Sequence, residues 1–282
     1  MATAEGEKAV TVRLTPAEAK PKIIKPVVSD LGYDAAGTPF RETYNKTGDL
    51  LVRIEYYIDS DPQAPKGFKN YLDRMAQFYG EMDQWKTVVT DSVTFLGIAA
   101  RKYEQYVKNP KKKGVDPRQW YGGAADAIEE EAAVRLGSLP MNVVLTCHVG
   151  RTKDDVHGDI VRLPDAPGRL AKGLPAAFSE VYHSWTSKDG DGKPLRMVQT
   201  QSDDLYAAET HIDAPDPSWN DYSALWDNYI GVWDDKVCPI HCLLYGDFGA
   251  GKTHMAATFP KPMLVLFFDG HGKDSPYLRV VK

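Results

Sequence analysis

Long hydrophobic runs are missing from this chain of 282 residues, the longest uninterrupted one being the six residues Met263–Phe268. A bilayer span needs about 20, so no membrane partner is expected. A secretory leader needs a basic start ahead of an apolar core, a pattern not found in the first 26 residues, and the expectation is a soluble, cytoplasmic protein. Cysteine is scarce: Cys147, Cys238 and Cys242 cannot all pair, and a chain this long does not depend on staples, so they read as reduced. Positive charge is not in excess either, with 34 Lys and Arg against 39 Asp and Glu, a net charge of −5. That excludes a surface coated in basic charge and leaves local patches as the only route to nucleic acid. What is present, 43% apolar and 26% charged residues, is the composition of an ordinary globular protein, which excludes disorder, collagen and coiled coil for most of the chain.

Residues 1–26 carry Pro16, Pro21 and Pro26 among Lys and Glu and read as an N-terminal arm. The rest, 27–282, reads as one domain. The run from Leu50 to Ile58 reads as a strand closed by Asp59-Ser60-Asp61-Pro62, and the spacing of Phe68, Tyr71, Leu72, Met75, Ala76, Phe78 and Tyr79 predicts a helix over 67–80. Thr87 to Thr90 is a short buried strand with Asp91-Ser92 at its end, followed by a helix from Val93 to Val107. The polar stretch Lys108 to Gly123, with two prolines and three glycines, breaks the pattern before a helix from Ala124 to Leu136 and a buried strand from Asn142 to Cys147. A mixed segment spans Gly150 to Leu174; strands at 178–185 and 195–199 flank a turn at 188–192; and a connector rich in Asp, Pro, Trp and Tyr covers about 213–236. The last unit, 237–270, reads strand (Ile240–Tyr245), glycine loop, helix (Lys252–Phe259), strand (Met263–Phe268). Buried strands alternating with helices give an α/β class with a mostly parallel sheet.

The glycine loop carries the chemistry. Gly246-Asp247-Phe248-Gly249-Ala250-Gly251-Lys252-Thr253 matches GxxxxGK[ST] between an apolar strand and a helix, the context the motif demands. Glycines let successive backbone N–H groups point inward at phosphates, Lys252 reaches the outer phosphates, and Thr253 ligates Mg²⁺; His254 follows in the same first helical turn. Such a loop needs a carboxylate at the end of a neighbouring strand. Asp91, after Val88-Val89-Thr90, is the better magnesium partner, although a strand-end turn is its bland alternative. Asp269 ends the strand directly after the loop's helix, a position that orients the attacking water. His148, ending the Asn142–Cys147 strand, could contact the γ-phosphate or be merely structural.

With these segments in view the sequence resembles phage-encoded RecA-like ATPases that assist DNA recombination or single-strand annealing. The carriers are LLYGDFGAGKTHMAATFPKPMLVLFFDG, WKTVVTDSVTFL, DPRQWYGGA, LPMNVVLTCHV and PGRLAKGLPAAFSEVYHSW followed by RMVQTQSD, in swapped order. In those families the phosphate loop comes first, then the Asp strand, the sensor strand and a terminal hairpin, so the resemblance implies a circularly permuted RecA-like core. It further implies ATP and Mg²⁺ as cofactors, Lys252 and Thr253 on phosphate and Mg²⁺, Asp91 as second magnesium carboxylate, His148 as sensor, Asp269 as water-orienting group, and assembly into a ring or filament in a host cytoplasm. The sensor strand should then lie between the loop strand and the Asp91 strand, with Met263–Phe268 beyond Asp91. One departure stands out: where such proteins carry a basic residue acting on the neighbouring subunit, this chain reads Ala207-Ala208-Glu209-Thr210-His211. Arg169, Lys172 and Arg196 are weak substitutes.

For DNA the candidates are Lys111, Lys112, Lys113, Arg118 and Trp120, beside Lys108 and Tyr121, a mix of charge and stacking faces suited to single strands; a solvated loop is the alternative. Arg151, Lys153, Arg162, Arg169 and Lys172 form a second group, diluted by Asp154, Asp155, Asp159 and Asp165. Cys238, His241 and Cys242 make an incomplete zinc set and read as structural. The expected function is Mg²⁺-dependent ATP hydrolysis coupled to DNA, most of all single-stranded DNA, in phage recombination or replication. The alternatives are a phosphate-loop kinase, against which there is no arginine-rich lid, and a nucleotide-gated DNA-binding or scaffold protein with little turnover.

Overall fold

A computed structural model describes residues 26–61, 63–109, 116–153, 160–212, 214–221, 225, 239–270 and 276–278. The N-terminal arm up to residue 25, Lys111–Lys113, Cys238 and most of the connector at 213–236 lie outside the described residues.

The apolar runs become the centre of a large mixed sheet. Its parallel part takes the order β4 (Leu50–Tyr56), β12 (Met263–Phe267), β5 (Thr87–Asp91), β6 (Asn142–Lys153), β11 (His241–Gly246), β8 (Glu180–Lys188). Antiparallel strands extend both ends: β3 (Pro39–Tyr44) with β1 (Val27–Val28) and β2 (Gly32–Tyr33) beside β4, and β9 (Pro194–Gln199) with β10 (Ser218–Trp219) beside β8. β12 is an unbroken apolar run, and β5 and β11 are buried along almost their whole length, because the sheet is covered on both faces and alternate side chains have no polar side to turn to. Val88, Leu145, Leu243 and Leu264 pack with α1 (Gly67–Phe78), α2 (Val93–Tyr103), α3 (Pro117–Ile128) and α4 (Leu170–Ala176). Val89, Val144, Leu244 and Val265 face the other way, onto α5 (Lys252–Ala256) and Tyr277. Each such side chain contributes about 1.5–3 kcal/mol by leaving water.

The strand order is the expected one at the loop: β6 lies between β11 and β5, and β12 flanks β5 on its far side. Several boundaries differ. α3 begins at Pro117, inside the stretch expected to break the pattern, because Asp116 caps it by accepting from the Arg118 N–H at 3.0 Å and Pro117 occupies the first turn. Gly123 is there for close approach, since a Cβ would stand 3.0 Å from the Glu104 carboxyl carbon. α2 gives way after Tyr103 to a π-helical turn over Glu104–Lys108, and α3 continues into another over Glu129–Arg135. β6 runs on to Lys153 and forms a hairpin with β7 (Ile160–Pro164) in what was expected as an irregular segment. β4 stops at Tyr56, and α5 stops at Ala256 rather than at Phe259. Strand β3 was not expected at all: its Arg41 and Glu42 hide the alternation, and Arg53 of β4 reaches Glu42 across the pair at 3.0 Å.

Candidate functional site

β11 delivers the glycine loop to the carboxyl edge of the sheet. At Gly246 the strand runs so close to β8 that a Cβ would lie 2.1 Å from the Ser184 carbonyl oxygen, so only glycine fits. Gly251, with φ of 96°, turns the chain into α5 through a left-handed conformation that disfavours side chains. Lys252 follows, 8% exposed, and its Nζ donates to the carbonyls of Gly246 and Asp247 at 2.9 Å each. The ammonium thus sits inside the curl of its own loop. Burial pushes its pKa down, opposed by the charges of Asp91, Asp247 and Asp269. Asp247, Phe248 and Gly249 are exposed at the loop's tip, Ala250 is buried with its carbonyl accepting from Asn220 Nδ2 at 3.2 Å, and His254 is half-buried in α5.

Asp91 ends β5 and is 5% exposed. Its Oδ2 accepts from Thr253 Oγ1 at 2.9 Å and from the Tyr277 hydroxyl at 2.9 Å, and its Oδ1 accepts from Thr146 Oγ1 at 2.6 Å. Three hydroxyls donating to one buried carboxylate satisfy its oxygens and hold it in a single rotamer. The Phe268 N–H closes the strand ends by donating to the Asp91 carbonyl at 2.7 Å, which brings half-buried Asp269 to the same edge. There the Asp269 charge raises the pKa of both Lys252 and His148.

His148 lies in register with Gly246 on β6. Its backbone N–H donates to Thr94 Oγ1 at 3.0 Å, and its ring is edge-on to Phe95 and parallel to Phe248, with centroids 5.6 and 6.5 Å away. Phe248 is 81% exposed at this mouth. Burial, then the Lys252 charge, lower the His148 pKa, so near neutral pH the ring acts through hydrogen bonding and not through charge.

The donor set suits a triphosphate with magnesium. Mg²⁺ is commonly held by one or two carboxylates plus waters and substrate phosphates, and the Thr253–Asp91 pair beside Lys252 is such a set. Among the described residues no group of three or more His, Cys, Asp or Glu could hold a metal on protein side chains alone. His241 Nε2 lies 2.9 Å from the Leu139 carbonyl oxygen and Cys242 is a buried free thiol, which gives both a structural place.

Residues 246–254, Asp91, His148 and Asp269 therefore share one edge. Of the DNA candidates, Lys111, Lys112 and Lys113 lie outside the described residues; Arg118 is exposed on α3 and Trp120 is half-buried, its Nε1 without a hydrogen-bond partner among the described residues. In the second basic group Arg169 is engaged by Asp126 at 3.1 Å and Glu129 at 2.6 Å, and Arg162 donates to the Tyr206 hydroxyl. Thr146, Tyr277 and Asn220 went unnoticed in the sequence. Thr146 had a signal: β-strand parity puts it on the face of Val144, and Val144 stands opposite Val89, two residues from Asp91. No helix among the described residues is long and apolar enough to cross a membrane. No family model, curated protein or solved structure matches this chain.

Proposed function

We propose that this chain binds ATP with Mg²⁺ on a RecA-like phosphate loop in circularly permuted order, and that it hydrolyses the nucleotide in response to DNA, single-stranded DNA above all. The observation that carries the reading is the 2.9 Å hydrogen bond from Thr253 to Asp91, two residues 162 apart in sequence that the motif logic pairs on one magnesium. Lys252 would hold the outer phosphates, and Thr253 with Asp91 would hold the metal, which when bound neutralises charge on phosphate oxygens. His148, neutral and at the next strand end, is a hydrogen-bonding partner for the terminal phosphate. Asp269 accepts a proton or a hydrogen bond from water on the side of β12. A scaffold that binds ATP with little turnover is favoured by one feature, the absence of Lys and Arg at 207–211.

ATP turnover by the full chain, measured with and without single-stranded DNA, duplex DNA and RNA, tests both readings. Mg²⁺-dependent turnover stimulated by single strands is expected, abolished in Lys252→Ala and weakened mainly in its magnesium dependence in Asp91→Asn. A folded Lys252→Ala protein with wild-type turnover sinks the assignment, and tight binding without turnover selects the scaffold.

A further inference from the structure

The side of the phosphate loop facing away from β6 is covered by the β8–β9 hairpin and by the residue after β10. Thr186 Oγ1 lies 3.5 Å from the Gly249 carbonyl, and Asn220 donates to Ala250. Arg196, opposite Thr186 in the hairpin, lays its stem across Gly251: a Cβ there would lie 2.5 Å from Arg196 Cδ and 3.2 Å from Cγ. The stem thus crosses the loop one residue before Lys252. Arg196 is exposed, and among the described residues its guanidinium makes no ion pair, in contrast to Arg169 or Arg74. Beside it Asn220, 4% exposed, keeps a buried Oδ1 that has no hydrogen-bond partner among the described residues, an acceptor open to a donor such as a guanidinium N–H.

Charge at the site points the same way. Around the loop stand Asp91, Asp247 and Asp269 with Lys252 as the cation inside it, a poor balance for a polyanion. A guanidinium, planar, permanently charged and with a fork of donors, is the side chain best matched to phosphate oxygens.

We infer that Arg196 is a phosphate-contacting residue supplied in cis, its guanidinium extending past Gly251 to oxygens of the nucleotide that the loop holds. The inference rests on the nucleotide reading proposed above. It removes the need for a basic residue from a neighbouring subunit, because each chain brings its own.

The test is equilibrium binding of a fluorescent ATP analogue with Mg²⁺ to the full chain, alongside turnover at several protein concentrations. Arg196→Met keeps an apolar stem over Gly251 and removes the charge; Arg196→Lys keeps the charge. Arg196→Met is expected to weaken binding by about 10- to 100-fold with the melting temperature unchanged, Arg196→Lys to recover part of that loss, and wild-type turnover per chain to be independent of concentration. Binding by Arg196→Met within twofold of wild type overturns the inference, as does a loss that lysine leaves unrepaired. Lys252→Ala separates the two failures. If wild type and Lys252→Ala bind alike, the nucleotide reading itself falls; if Lys252→Ala alone loses binding, only the role of Arg196 does.

Discussion

Removing the Tyr277 hydroxyl tests how the carboxylate at the centre of the site is held. Tyr277 is fully buried, and its phenol is pushed well above the ordinary value by burial first and by Asp91 second, so at any ordinary pH it donates. A hydrogen bond to a charged acceptor contributes about 1.5–3 kcal/mol, against about 0.5–1.5 for a neutral pair. Tyr277→Phe leaves Asp91 with two of its three hydroxyl donors, and the expected loss is about 2 kcal/mol. Once Asp91→Asn has neutralised the acceptor, the same hydroxyl is worth about 1 kcal/mol. The double-mutant cycle should therefore give a coupling of about 1 kcal/mol, well above the roughly 0.3–0.5 kcal/mol scatter of independent sites. Urea unfolding of the four proteins, compared at equal slope, measures it. A coupling indistinguishable from zero would show that Tyr277 does not donate to Asp91 in the folded chain, and the segment at 276–278 would lose its place at the site.

Three further outcomes are expected. Gly246→Ala should abolish soluble folded protein, because its Cβ cannot stand 2.1 Å from the Ser184 carbonyl without parting β11 from β8, whereas Gly249→Ala, with open space and φ of 79°, should cost about 1–2 kcal/mol; equal melting temperatures for the two variants would refute the distinction. Burial holds His148 and His183 below their ordinary value, so the unfolded chain binds more protons, and stability present above about pH 6.5 is lost as pH falls below it towards the folded values. Urea unfolding at pH 7.5, 6.5 and 5.5 should show that loss shrinking in His183→Gln, and an unaltered slope would refute it. Replacing Lys111, Lys112 and Lys113 together by Ala should weaken single-strand binding and flatten its salt dependence, each lost phosphate contact lowering the slope by about 0.7; unchanged affinity and slope would mark the run as a solvated surface.

Parts of this structure were legible because a single local cause produces them. β5, β6, β11 and β12 are buried on both faces, so they announce themselves as apolar runs whatever lies around them. The phosphate loop is equally local, its glycines answering to one strand-to-helix turn. β3 was illegible because Arg41 and Glu42 break its alternation and because its partners, β4 on one side and the two-residue strands β1 and β2 on the other, are set by turns, that to β4 by Asn45 and Asp49. The start of α3 was misread because two prolines and three glycines outweighed a capping aspartate, although Gly123 stands in helix α3 against the Glu104 carboxyl and not in a loop. At the site, Thr146 could have been found by parity along two paired strands. Tyr277, Asn220 and the path of Arg196 over Gly251 could not, since each arrives from a turn or hairpin whose direction no periodicity encodes.

The site is assembled by strand neighbours and not by chain neighbours, and the glycine loop ties those neighbours together. β4 and β5 follow one another in sequence, yet β12 stands between them; β6 and β8 are likewise parted by β11. The unit β11–α5–β12 therefore enters the sheet at two places, and without it the remaining strands form three pieces with open edges, β1 to β4, β5 to β7, and β8 to β10. Open edges are exposed rows of backbone donors and acceptors, so the stability of all three pieces depends on contacts closed over long stretches of chain, a slow kind of folding. The loop lies between the two inserted strands, with Gly246 against β8, Thr253 on Asp91 of β5 and Ala250 on Asn220. A ligand gripped by the loop is gripped where the pieces meet, and its binding energy adds to the stability of the whole sheet by linkage.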